Sequence, residues 1–245
     1  MDLRVRKLRE LSISTKPFIT PERAILVTEF YGSDAAKKLS IPMLRARALR
    51  HVLENKAIYL GEGELIVGER GPAPKAVPTY PEICCHSLKD LQILSTRKRT
   101  PYAVSEETKR IYEEKIIPFW AGKSIRDVMF SKMPGDWMNA YEAGVFTEFL
   151  EQRAPGHTAL DGKIYGKGLS DFKGEIDRRI RSLDFPNDPL AHSKMEELSA
   201  MRTAADAVIR YAERHAERAR ELLKDEQNPE RREELERIAK VCTHV

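Results

Sequence analysis

Three cysteines in 245 residues are too few, and odd in number, for a paired disulfide framework, which fits a reducing cytoplasm. No apolar run approaches the ~20 residues that a membrane span needs. The first eight residues, Met1 to Leu8, are basic but carry no apolar core of the signal-peptide kind. Membrane is therefore not an expected partner. Charge of one sign is also scarce, with 42 basic against 38 acidic residues leaving +4. That excess is dispersed, with no basic stripe interleaved with aromatics, so nucleic acid is not an expected partner either. No Gly-x-Gly-x-x-Gly follows a strand and opens a helix, and no phosphate loop ends in Gly-Lys-Ser, so a nucleotide site has no support. Neither an internal repeat nor a low-complexity tract interrupts the chain.

What is present reads as a soluble, helix-rich protein, with charged residues at 33% and the apolar set at 41%. The length accommodates one large domain or two small ones. Residues 1–12 read as a basic helix ended by Ser12 to Pro17. Thr20-Pro21-Glu22 is a helix start, with a Thr cap, Pro in the first turn and Glu beside the positive dipole end. Pro42 opens a second helix with Leu44, Ala48, Leu49 and Leu53 on one stripe. Leu65-Ile66-Val67 is short, apolar and β-branched, and reads as a buried strand. Gly68 to Pro81 holds four prolines and two glycines and reads as an irregular segment held by neighbours, with a Glu69–Arg70 ion pair to fix it. Helices are expected over 87–95, 105–117, 122–130 and 141–151. The residues from Thr158 to Lys167 suggest an extended pair turning at Asp161-Gly162. A long helix over 190–223 should present Leu198, Met201, Ala205, Val208, Ile209 and Ala212 on one face. Its charged later half, Glu213 to Glu221, is most simply a solvated face. Asn228-Pro229-Glu230 breaks it and restarts an antiparallel partner helix.

The stretch Phe146 to Thr158 gathers an acid, an amide, a guanidinium and an imidazole around Pro155-Gly156, where a helix must break. Arg153 and His157 are then presented from a loop, where binding groups usually sit. The residue types leave two readings open: a buried ion-pair arginine with a core histidine, or a substrate contact. A neutral imidazole can donate to or accept from an alcohol, and a guanidinium offers a planar fork to a carboxylate. Cys84-Cys85 reads as small buried hydrophobes. A metal site built on Cys84, Cys85 and His86 would need distant ligands, and only Cys242 and His244 are on offer. Glu148 and Glu151, one helical turn apart, have no third acid or His at metal spacing and read as capping or solvated groups. No metal and no directly bound cofactor is expected.

The runs Leu65 to Glu82, Cys85-His86-Ser87 and Gln152-Arg153-Ala154-Pro155-Gly156-His157-Thr158 resemble the N-terminal region of glycyl radical enzymes. The resemblance is to the pyruvate formate-lyase-like branch holding glycerol and diol dehydratases, hydroxyproline dehydratase, choline lyase and isethionate sulfite-lyase. It covers residues 1–245 as one N-terminal region. It implies a mainly α fold with a few short strands, the N-terminal part of that family's α/β barrel, with barrel strands that pair with later parts missing. It also implies anaerobic, cytoplasmic lyase or dehydratase chemistry by an organic radical on a small hydroxylated substrate. A radical S-adenosylmethionine activase installs a glycyl radical, which makes a thiyl that abstracts hydrogen. The family's Gly-Cys-Val-Glu-like and Arg-Val-x-Gly-like motifs are absent here, so no catalytic residue is expected in this chain, which alone should be inert. The implied partners are the remaining C-terminal catalytic portion, the activase, the substrate and, in the full enzyme, a homodimer mate. By the same resemblance His157 contacts a substrate hydroxyl, as in the hydroxyl-handling members rather than the sulfonate lyases, and Arg153 helps hold an anionic group. The alternative is a non-catalytic helical scaffold or interaction module derived from that family.

Overall fold

The computed structural model describes residues 3–146 and 160–244. Its elements run α1 (Leu3–Ser14), β1 (Phe18–Thr20), α2 (Glu22–Gly32), α3 (Ile41–Asn55), β2 (Ala76–Pro78), α4 (Leu88–Thr96), α5 (Glu106–Ile111), α6 (Ile117–Trp120), α7 (Ile125–Phe130), α8 (Gly135–Glu142), α9 (Leu169–Arg181), α10 (Ala191–Leu223) and α11 (Pro229–His244). The fold is mainly helical. β1 and β2 pair in parallel, with Phe18 opposite Ala76 and Thr20 opposite Pro78. Parallel strands need a long crossover, and α2, α3 and the proline-rich segment supply it.

Local chemistry explains most helix starts. Ser87 and Asp90 form a reciprocal capping box at α4, and the Ser105 and Ser124 side chains cap α5 and α7. At α2, Pro21 takes the cap position itself, and the Thr20 hydroxyl accepts from the Glu22 N–H at 3.4 Å. Between α5 and α6 the helix widens to a π turn over Tyr112–Ile116. Pro118 follows at once, and a proline inside a helix lacks the N–H and crowds the carbonyl four residues back. A wide turn just upstream relieves that conflict.

One core gathers Ile19, Val27, Leu91, Tyr112, Ile116 and Trp120, all buried. The second lies between α10 and α11 around Ala216, Ala219, Leu235 and Ile238. α10 organises the rest. It runs parallel to α3, as shown by Ser40 bonding Glu196 and Arg214 bonding the Leu53 carbonyl. α9 lies antiparallel to it through Lys173–Asp206 and Asp177–Arg202. α11 is antiparallel too, since Arg220 reaches Thr243 while Arg232 reaches the Leu223 carbonyl.

Several expectations are corrected. Leu65-Ile66-Val67 forms no strand, and Ile66 is 91% exposed; β-branched character alone cannot make a strand without a neighbour to pair with. The Asp161-Gly162 hairpin is replaced by a 3₁₀ turn over Asp161–Tyr165. The helix expected from Tyr141 instead ends at Glu142, and Gly144 follows at φ 74°. On α10, Met201 and Val208 are exposed while Ala200, Ala205 and Ala207 are buried. Small residues face in because α3 and α9 both press close on that helix. Leu49 of α3 is exposed as well.

Candidate functional site

Arg153 and His157 lie outside the described residues, as do Glu148 and Glu151. The structure supplies the frame on either side. Before the segment, Phe146 packs edge-on to Trp137 at 5.4 Å and tilted to Tyr141 at 5.9 Å. Tyr141 packs edge-on to Phe130 at 4.9 Å and accepts a hydrogen bond from the Arg126 guanidinium at 3.2 Å. That guanidinium also lies over the Phe130 ring at 4.7 Å. Arg126 is tied to the core segment by its own N–H, which donates to the Ile83 carbonyl at 3.0 Å. Gly144, in the left-handed region, closes the turn that turns Val145 back onto Ala140. After the segment, Leu160 (φ 71°) and Asp161 (φ 52°) are left-handed without being glycine, which costs about 1 kcal/mol or more per residue.

Ile83 lies just after the proline-rich stretch, and three anchors hold the chain from Glu69 to Glu82 in place. The Arg23 guanidinium grips both carboxylate oxygens of Glu82, donates to the Thr79 carbonyl at 3.1 Å and stacks 3.9 Å from the Tyr80 ring centre. The buried Tyr112 hydroxyl donates to the Thr79 hydroxyl, and burial pushes that phenol well above its usual pKa, against the lowering effect of this bond. The Lys56 ammonium donates to the Glu69 and Arg70 carbonyls at 2.7 and 3.0 Å and to the Tyr211 hydroxyl at 3.1 Å. Burial pulls its pKa down, and the Glu22 and Glu69 carboxylates oppose that. The expected Glu69–Arg70 ion pair is therefore replaced: backbone carbonyls of both residues, rather than their side chains, fix the loop.

Sequence reasoning missed this Lys56 cluster. Arg214 donates to the Leu53 and Lys56 carbonyls, and His215 is buried with Nδ1 2.8 Å from the Tyr211 carbonyl. Both sit inside the charge run expected to be solvated. The signal was available: Tyr211 and His215 share the register of Ala212, Ala216 and Ala219, an inward-facing stripe.

The cysteines do not converge. Burial, with Asp127 and Asp90 adding to it, pushes the Cys85 thiol up to about 11, so at neutral pH it is a protonated hydrophobe against the first core. Cys242 belongs to the other core. Among the described residues no group of three or more His, Cys, Asp or Glu is placed to hold a metal.

A family model described as pyruvate formate lyase-like matches residues 1–245. The trans-4-hydroxy-L-proline dehydratase of Clostridioides difficile is 45% identical over 242 residues, 99% of this chain but 30% of that protein. The crystal structure of that dehydratase with its substrate bound superposes with a TM-score of 0.92. A glycyl radical enzyme from Archaeoglobus fulgidus superposes at 0.85 with 31% identity, covering 98% of this chain and 30% of that one. The chain thus spans about 30% of the length of the relatives it matches.

Proposed function

Because the chain belongs to the pyruvate formate lyase-like family, we propose that it forms one wall of the substrate cavity of a glycyl radical dehydratase or lyase. The observation that carries this reading is the overlap of 99% of the chain with 30% of a solved dehydratase at a TM-score of 0.92. The remaining portion of the polypeptide carries the radical glycine and the thiyl cysteine, and a separate activase generates the radical. Alone, the chain is inert, since it holds neither motif. The full enzyme is a cytoplasmic homodimer of anaerobic metabolism.

The substrate is a small hydroxylated carboxylate. trans-4-Hydroxy-L-proline, on which the 45% identical relative acts, carries a hydroxyl suited to His157 and a carboxylate suited to the fork of Arg153. The exposed side chains of Val145, Trp137 and Tyr165 support a role completed by further polypeptide, since large exposed apolar surface marks a contact face.

The test is to mix the purified chain with a downstream portion bearing the Cys and Gly motifs and with the activase, without oxygen. A glycyl radical doublet by electron paramagnetic resonance, with turnover of trans-4-hydroxy-L-proline that His157→Ala abolishes, supports the reading. A stably folded chain that neither associates nor restores turnover overturns it and leaves a helical interaction module.

A further inference from the structure

The N-terminal body contains a cavity of about 520 Å³, within the range typical of small-molecule sites, that the radical reading leaves unused. Its floor is apolar: Val27, Val52 and Trp120 are buried and line it. The Trp120 indole is fixed by its N–H, which donates to the Thr28 hydroxyl at 2.9 Å. One wall is the Arg23–Glu82 pair, in which the carboxylate is already gripped through both oxygens. At the mouth stand Arg45 and Lys123, both exposed. Neither forms an ion pair among the described residues, although Lys123 lies 4.3 Å from the Phe119 ring centre. Counting Arg23, Arg45 and Lys123 against Glu82, the lining carries a net charge of +2. The Tyr31 phenol, kept protonated by burial and by Glu82, adds a neutral donor.

An apolar floor under a mouth with two uncompensated cations selects for one ligand chemistry. A cationic amphiphile is repelled at the entrance, and a small hydrophilic anion leaves the floor unfilled. We propose that this cavity binds a small organic anion with an apolar body, its carboxylate at Arg45 and Lys123 and its hydrocarbon against Val27, Val52 and Trp120. The proposal does not depend on the radical reading, since its argument draws on neither Arg153 nor His157.

Octanoate is a suitable probe, titrated into the chain with Trp137→Phe so that tryptophan emission reports Trp120 alone. The expected result is a saturable emission change, with octylammonium and acetate each binding at least about tenfold more weakly. Arg45→Gln with Lys123→Gln should weaken octanoate about tenfold. Both side chains are exposed, so the double variant should keep the parent's circular dichroism and melting. The proposal is overturned by the absence of saturable binding, by octylammonium binding as tightly as octanoate, or by a folded double variant that binds as the parent does.

Discussion

The Lys56 ammonium and the Tyr211 hydroxyl meet at 3.1 Å across 155 residues of chain, joining the end of α3 to the middle of α10. The same ammonium holds the Glu69 and Arg70 carbonyls, and Tyr211 donates to the Glu69 carbonyl at 3.3 Å. Lys56→Met keeps the aliphatic stem but strands the Arg70 carbonyl and leaves the Glu69 carbonyl and the Tyr211 hydroxyl with only each other. Burial already disfavours the charge, so the net loss is smaller than three bonds suggest: about 2–3 kcal/mol in urea unfolding. Tyr211→Phe should cost less, about 1 kcal/mol, because the carbonyls keep the ammonium. Equal costs for the two variants would contradict this account of the junction.

His215 makes the junction sensitive to acid. Nδ1 faces the Tyr211 carbonyl, which sets the tautomer with the proton there, and Nε2 is buried without a partner among the described residues. Desolvation lowers the imidazole pKa from 6.5, the bond to Tyr211 opposes that, and Lys56 and Arg214 lower it further. As pH falls below 6.5 the unfolded chain takes up a proton that the folded chain refuses. The unfolded state then binds more protons, and stability declines until pH passes the folded-state pKa, where the loss levels off. His215→Gln should flatten this slope below pH 6.5, read as the urea midpoint against pH. An unchanged slope in that variant would assign the acid sensitivity to other groups.

Gly71 sits where no side chain fits. A Cβ there would stand 2.5 Å from the Ala76 Cβ and 3.0 Å from the Ala76 carbonyl oxygen, so the loop bearing the Lys56 anchors would be pushed off β2. Gly71→Ala should destabilise by about 1–3 kcal/mol, whereas Gly135→Ala, with open space around it, should be near neutral or stabilising. Thermal melts of the two variants, with equal effects as the contrary outcome, decide the matter.

Helix positions were legible because their signals are local: Pro42 inside the first turn of α3, and Asn228-Pro229 between α10 and α11. The strands were not, because Phe18–Thr20 and Ala76–Pro78 are three residues each and become strands only by finding one another across the crossover. Ile66 failed in the opposite sense, apolar yet unpaired. The charge run of α10 was half legible: Arg210 pairs with Glu213 and Glu217, and Arg218 with Glu221, in solvent, while Arg214 turns inward to the Leu53 and Lys56 carbonyls and His215 is buried against the Tyr211 carbonyl of its own helix. The long motifs around 65–87 and 152–158 identified the family, which matches the whole chain. They could not show that Lys56, 155 residues from Tyr211, is what holds the first of them.

The Arg23–Glu82 pair anchors the chain next to Ile83, which is bonded to α7. The two side chains retain 22% and 21% of their exposure, so removing one partner leaves a mostly desolvated charge behind. Arg23→Met and Glu82→Met should each cost about 2–3 kcal/mol, and the double variant less than their sum, because the stranded charge is gone. The consequence extends beyond stability. The Glu82 and Ile83 carbonyls accept the N–H groups of Ile125 and Arg126 at 3.0 Å each, and Arg126 in turn braces Tyr141, against which Phe146 packs. Loosening Glu82 should therefore free the amides of Ile125 and Arg126 for hydrogen exchange before the α10–α11 core around Leu235 opens. Leu235→Met should show the reverse order, with amides near Ala216 and Ile238 exchanging first. If Glu82→Met leaves Ile125 and Arg126 as protected as in the parent chain, the pair is a local clamp on Tyr80 and does not carry the frame.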